Sequence, residues 1–126
     1  MDFLINKLNK YIKMKPTAQQ TEIRNEVIDV MIKQLGGNKF FLMTGSKPQY
    51  KDISTDSPLI ALKLIRNKSK ANYLTIQYIR STDLYTMEFI KMTKTERKIV
   101  STYENIYSDQ LTEIFESETG LRTSLF

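Results

Sequence analysis

The residues best equipped for chemistry lie between Lys63 and Lys98. There Lys63, Arg66, Lys68, Lys70, Arg80, Lys91, Lys94, Arg97 and Lys98 stand against three acids, Asp83, Glu88 and Glu96. Tyr73, Tyr78 and Tyr85 are threaded among them. Cationic side chains track a phosphate backbone, and aromatic rings stack on unpaired bases, each stack contributing about 1–3 kcal/mol. Lys63, Arg66, Lys68, Lys70, Tyr73 and Arg80 are therefore the candidate nucleic-acid-binding residues. The plainer account of the same residues is a solvated set of strand ends, with Lys blunting sheet edges and Tyr73 covering part of the sheet surface.

Other chemistries find little support. Histidine and cysteine are both absent. This removes the Ser-His-Asp triad, thiolate nucleophiles, disulfides and nearly every zinc site, and it is compatible with a reducing cytoplasm. Gly36-Gly37-Asn38-Lys39 and Thr44-Gly45-Ser46-Lys47 look like phosphate loops, but neither has the G-x-x-x-x-G-K-[ST] spacing that runs from a strand into a helix. They read as a helix stop and a turn. Glu22 with Glu26, and Glu113 with Glu116, sit three or four residues apart on helical faces, where solvation explains them without a catalytic pocket. No enzyme, metal or cofactor is expected.

The charges are segregated. Residues 1–51 carry +5, 52–62 carry −2, 63–100 carry +6 and 101–126 carry −4, for a net +5 in 126 residues. This length suits one domain, 1–126, with a core of its own. The apolar run at Phe3-Leu4-Ile5 is too short for a signal-peptide core or a membrane span.

The elements that must position these charges follow from periodicity. Leu4, Leu8, Tyr11 and Ile12 share one helical face between Asp2 and Pro16, beside the cations Lys7, Lys10, Lys13 and Lys15. Thr17-Ala18-Gln19-Gln20 is a capping-box pattern that opens a second helix. Ile23, Val27, Val30, Met31 and Leu35 form its apolar face, and Gly36-Gly37 stops it. Lys39 to Thr44 reads as a strand, followed by a polar loop from Gly45 to Pro58. Leu59 to Arg66, Tyr73 to Arg80 and Leu84 to Met92 are strands joined by short connections, which favour antiparallel hairpins. Ile60, Leu62, Leu64, Leu74, Ile76, Tyr78, Tyr85, Met87 and Phe89 fall on the buried face by alternation. Lys98 to Glu104 adds an edge strand. A last helix from about Ile106 to Thr119 buries Tyr107, Leu111, Ile114 and Phe115, ends at Gly120, and lets Leu121 fold back on Phe115. The expected fold class is α+β: two N-terminal helices, an antiparallel meander of four to five strands, and a C-terminal helix packed on one face.

Gln34-Leu35-Gly36-Gly37-Asn38-Lys39-Phe40 continuing to Met43-Thr44-Gly45, and Ile114-Phe115 with Thr119-Gly120-Leu121-Arg122-Thr123-Ser124-Leu125, resemble a family of small uncharacterised proteins of bacteriophages and mobile elements. Leu62-Lys63-Leu64, Asn72-Tyr73 and Tyr85-Thr86-Met87-Glu88-Phe89 extend the likeness over about residues 34 to 125. The resemblance implies a bacterial cytoplasmic setting and a phage-related role. Together these readings lead to a non-enzymatic accessory protein that binds DNA or RNA through a basic rim of sheet ends and hairpins. The alternative is a module that docks on a host or phage protein, with self-association into a homodimer through the 98–104 edge as a further option.

Overall fold

A computed structural model describes residues 17–124. The helix expected between Asp2 and Pro16 lies outside the described residues. The elements run α1 (Ala18–Leu35), α2 (Asn38–Thr44), β1 (Lys47–Asp52), β2 (Leu59–Lys63), β3 (Tyr73–Ile79), β4 (Leu84–Met92), β5 (Arg97–Ile106), a 3₁₀ turn (Ser108–Gln110) and α3 (Leu111–Thr119). The five strands form one antiparallel meander in the order β1-β2-β3-β4-β5, with the helices over one face. The α+β expectation is met.

α1 starts where the capping box placed it. Gln20 N–H donates to Thr17 Oγ1 (3.1 Å) and Thr17 N–H to Gln20 Oε1 (2.9 Å). Its C-terminus turns at Gly36, whose φ of 121° is open to glycine at little cost. The face that packs inward overlaps the expected one in part: Met31 and Leu35 are buried as expected and are joined by Arg24 and Ile28, whereas Ile23 and Val30 are each 48% exposed. Both sets have helical spacing, and the sheet selects the stripe that also lets Arg24 reach the β1–β2 loop.

Residues 38–44 are helical, where the sequence suggested a strand. A short apolar run is ambiguous by periodicity, and packing decides it. Phe40 and Thr44, one helical turn apart, are buried, and Phe40 meets Phe115 of α3 edge-on at 4.9 Å. Leu42, which a strand would place on the same side as Phe40, is 84% exposed. The missing strand is supplied by β1, inside the segment read as a loop. As an edge strand with Pro48 and a bulge between Pro48 and Tyr50, β1 carries no alternation to read.

Alternation on β2, β3 and β4 holds. Ile60, Leu62, Leu74, Ile76, Met87 and Phe89 face the helices and join Ile28, Met31, Leu35, Phe40, Leu111 and Phe115 in one core. β2 ends at Lys63, with Leu64 N–H still bonded to Asn72 O (2.9 Å). β5 runs on to Ile106, so the last helix begins later than expected and Tyr107 is 62% exposed instead of buried. α3 stops at Gly120 (φ 74°), and Leu121 packs against the core that contains Phe115.

Candidate nucleic-acid interface

In a meander, successive connections alternate between the two ends of the sheet. The β2–β3 and β4–β5 connections therefore share one end, together with the start of β1. Lys47, Lys63, Arg66, Lys68, Lys70, Lys91, Lys94, Arg97 and Lys98 all lie there, with Glu96 the sole acid in those segments. Across five strands this end spans about 19 Å, four spacings of roughly 4.8 Å. The opposite end carries Asp52, Asp56, Asp83 and Asp109. The charge separation seen along the chain thus becomes a separation along the strand axis.

Five of the six expected residues converge. Lys63 closes β2 and pairs across the strands with Lys47 on one side and Tyr73 on the other. Tyr73 is half-buried and shares with Thr75 and Gln77 the face turned away from the helices. Arg66, Lys68 and Lys70 are exposed on the β2–β3 loop. Arg80 is not part of this group. It follows β3 at the far end, where its Nη1 lies 3.4 Å from Asp56 Oδ1. Lys47, Lys91, Lys94, Arg97 and Lys98 are the members that sequence reasoning left out of the site, and counting hairpin ends would have found the last four.

The β2–β3 loop is held by its own side chains. Asn67 Nδ2 donates to Ile65 O and Ala71 O (both 2.8 Å), while Asn67 Oδ1 accepts from Ser69 N–H (3.0 Å) and Ser69 O–H (2.5 Å). Ala71 N–H donates to Ser69 Oγ (3.1 Å), and Lys68 N–H ties the loop to Thr119 O of α3 (3.1 Å). Lys70 sits at φ 68°. Asn72 then joins the loop to the next hairpin, donating to Met92 O and accepting from Met92 N–H, both at 2.8 Å. The result is a concavity of about 390 Å³ lined by Arg66, Lys68, Lys70 and Lys91 with no acid in its wall.

None of these cations makes an ion pair among the described residues. Among the described residues the ion pairs closer than 4.0 Å are Arg24–Asp56 and Arg80–Asp56, both elsewhere. Two acids of α3 lie nearby but are engaged. Glu118 accepts from Ser101 and Tyr103 (2.6 Å from the latter), raising the Tyr103 hydroxyl above its ordinary pKa through that bond. Glu116 accepts from Thr123 N–H and O–H (both 2.8 Å), which lowers its carboxyl. Lys47 faces Lys63, and Lys91 faces Lys98, directly across strands. Like charges so placed destabilise a sheet by up to about 1 kcal/mol a pair.

No group of three or more His, Cys, Asp or Glu able to hold a metal occurs among the described residues. No helix there is long and apolar enough to cross a membrane. Comparison with family models, with curated proteins and with solved structures found no match.

Proposed function

We propose that the chain is a non-enzymatic accessory protein, in a phage or mobile-element setting, that binds nucleic acid across the cationic end of its sheet. The observation that carries this is the two like-charge pairs opposed in register, Lys47 with Lys63 and Lys91 with Lys98, among nine cations that make no ion pair among the described residues. Lysines on the edge strands also guard against edge-to-edge pairing, but opposing them in register costs stability that a bound polyanion would relieve at both pairs. Duplex DNA carries one charge per about 1.7 Å of axis with both strands counted, so an edge of about 19 Å lies along a length holding roughly eleven phosphates, of which it reaches those that face it. Tyr73, next to Lys63 on the open face, offers a ring on which an unpaired base stacks, favouring single strands.

The test is fluorescence anisotropy with single- and double-stranded oligonucleotides over a salt series. If about five cations contact phosphates, log K against log salt falls with a slope near −3.5 for single strands. Lys68→Glu with Lys70→Glu removes most binding, and Tyr73→Ala weakens single strands by about 1–3 kcal/mol while sparing duplex. Absence of binding at low salt sinks the proposal. A protein partner is the competing reading, favoured by the exposure of Leu42 and Tyr50 (84% and 60%). Co-purification that persists after nuclease treatment and survives the double charge reversal supports it instead.

A further inference from the structure

The end of the sheet remote from the cationic cluster holds a second concavity, about 300 Å³, between α1 and the end of β3. This is the lower limit of volumes that take small organic ligands. Arg24, 8% exposed, reaches into the β1–β2 loop, where its Nη1 donates to Ile53 O (3.0 Å) and its Nη2 to Asp56 Oδ1 (2.8 Å). Arg80 Nη1 lies 3.4 Å from the same oxygen. Two guanidiniums therefore share one carboxylate, and the neighbouring Asp83 is occupied by the Tyr78 hydroxyl (2.5 Å). Arg24 Nε is buried and has no hydrogen-bond partner among the described residues.

This is an incomplete pairing. A guanidinium carries five N–H donors in a planar fork suited to two-oxygen anions, and burying one is costly unless its donors are met. Asp56 is a weak plug for such a site: its side chain is 56% exposed and it sits on a loop. The remaining walls are apolar or aromatic, formed by Ile23, Val27 and Tyr78. Ile23 is 48% exposed at the cleft, so an apolar group entering there gains burial.

We propose that this cleft is an oxyanion site that takes a carboxylate or phosphate carried on an apolar body, with Asp56 occupying the anion position until the ligand displaces it. Two guanidiniums against a single carboxylate in the wall favour an anionic ligand, and the fork geometry favours a two-oxygen anion over halide. Removing the Asp56 charge strengthens binding because both guanidiniums are then free to face the ligand.

The experiment titrates ¹⁵N-labelled full-length protein with hexanoate, hexyl phosphate and hexanol, reading the Arg24 Nε–H signal and the amides of Ser54 to Ser57. Saturable shifts with an acid, and none with hexanol, are expected, and the tighter of the two acids identifies the anion class. Asp56→Asn tightens that binding about five-fold, and Arg80→Ala weakens it about five-fold, as expected for one partly screened charge. Because Arg80 is largely exposed, its replacement leaves folding intact. The proposal is overturned if hexanol binds as tightly as the acids, if neither acid saturates, or if Asp56→Asn leaves the affinity unchanged.

Discussion

Asn67 shows how one uncharged residue sets the position of several charged ones. Its amide spans Ile65 O, Ala71 O and both donors of Ser69, and thereby fixes the backbone from which Arg66, Lys68 and Lys70 project. Asn67→Ala is expected to cost about 1–3 kcal/mol of stability through unmet backbone carbonyls. It should also weaken nucleic-acid binding without changing net charge; unaltered affinity in anisotropy would show that preorganisation of the loop is irrelevant. Phe40 carries a second argument at this scale. Phe40→Ala should lose about 3–5 kcal/mol in chemical denaturation because the ring fills the core against Phe115. Leu42→Ala should stay within about 0.5 kcal/mol of the parent. Comparable losses at both positions would mean that they share a buried face, as in a strand.

Among the elements, the β4–β5 hairpin holds the conflict between stability and charge. Lys91 and Lys98 oppose each other in register, and Lys91→Glu converts the repulsion into an ion pair. The expected gain is about 0.2–1 kcal/mol in thermal or urea unfolding, with a simultaneous loss of nucleic-acid affinity. A variant that becomes more stable and binds equally well would separate the lysine pair from function. The expected strands of β2, β3 and β4 appear because alternating apolar residues on a one-sided sheet have a single favourable orientation. β1 had no such signal, since Lys47-Pro48-Gln49-Tyr50-Lys51 is exposed along nearly its whole length. For α2, the apolar run from Phe40 to Met43 is only four residues long, too short for a period that separates helix from strand.

For the whole molecule, the charge axis makes a sharp distinction between cations that are close in sequence. Lys70→Glu and Arg80→Glu change net charge equally, yet only the first lies at the cationic end. The salt slope for oligonucleotide binding should become shallower by about 0.7–0.9 for Lys70→Glu and remain unchanged for Arg80→Glu. Stability should fall at both pH extremes. A hydrogen bond from Ser54 lowers the Asp52 carboxyl, one from Arg24 lowers Asp56, and one from Thr123 lowers Glu116. Their folded pKa values lie below the unfolded ones, so their stabilisation is present above about pH 4.5 and is lost as pH drops through the folded values. A hydrogen bond to Asp83 raises Tyr78, burial raises Tyr85, and a hydrogen bond to Glu118 raises Tyr103. These contributions are complete below about pH 10 and disappear as pH rises through the folded values. Urea midpoints should fall on both sides of a broad plateau, and Tyr103→Phe should flatten the alkaline arm.

The sequence alone determined the α+β class, the α1 cap at Thr17, the buried faces of β2 to β4 and the glycine stop after α3. Each depends on interactions within a few residues or on period-two alternation. It also contained the nine cations between residues 63 and 98, and the expected alternation of hairpins already sets Arg80, after β3, apart from the β2–β3 and β4–β5 connections. Tertiary structure alone decided that Lys47 joins the cluster, that Arg24 is buried, and that residues 38–44 coil toward Phe115. Those outcomes rest on contacts between segments distant in the chain, where pairing register and packing outweigh local propensity.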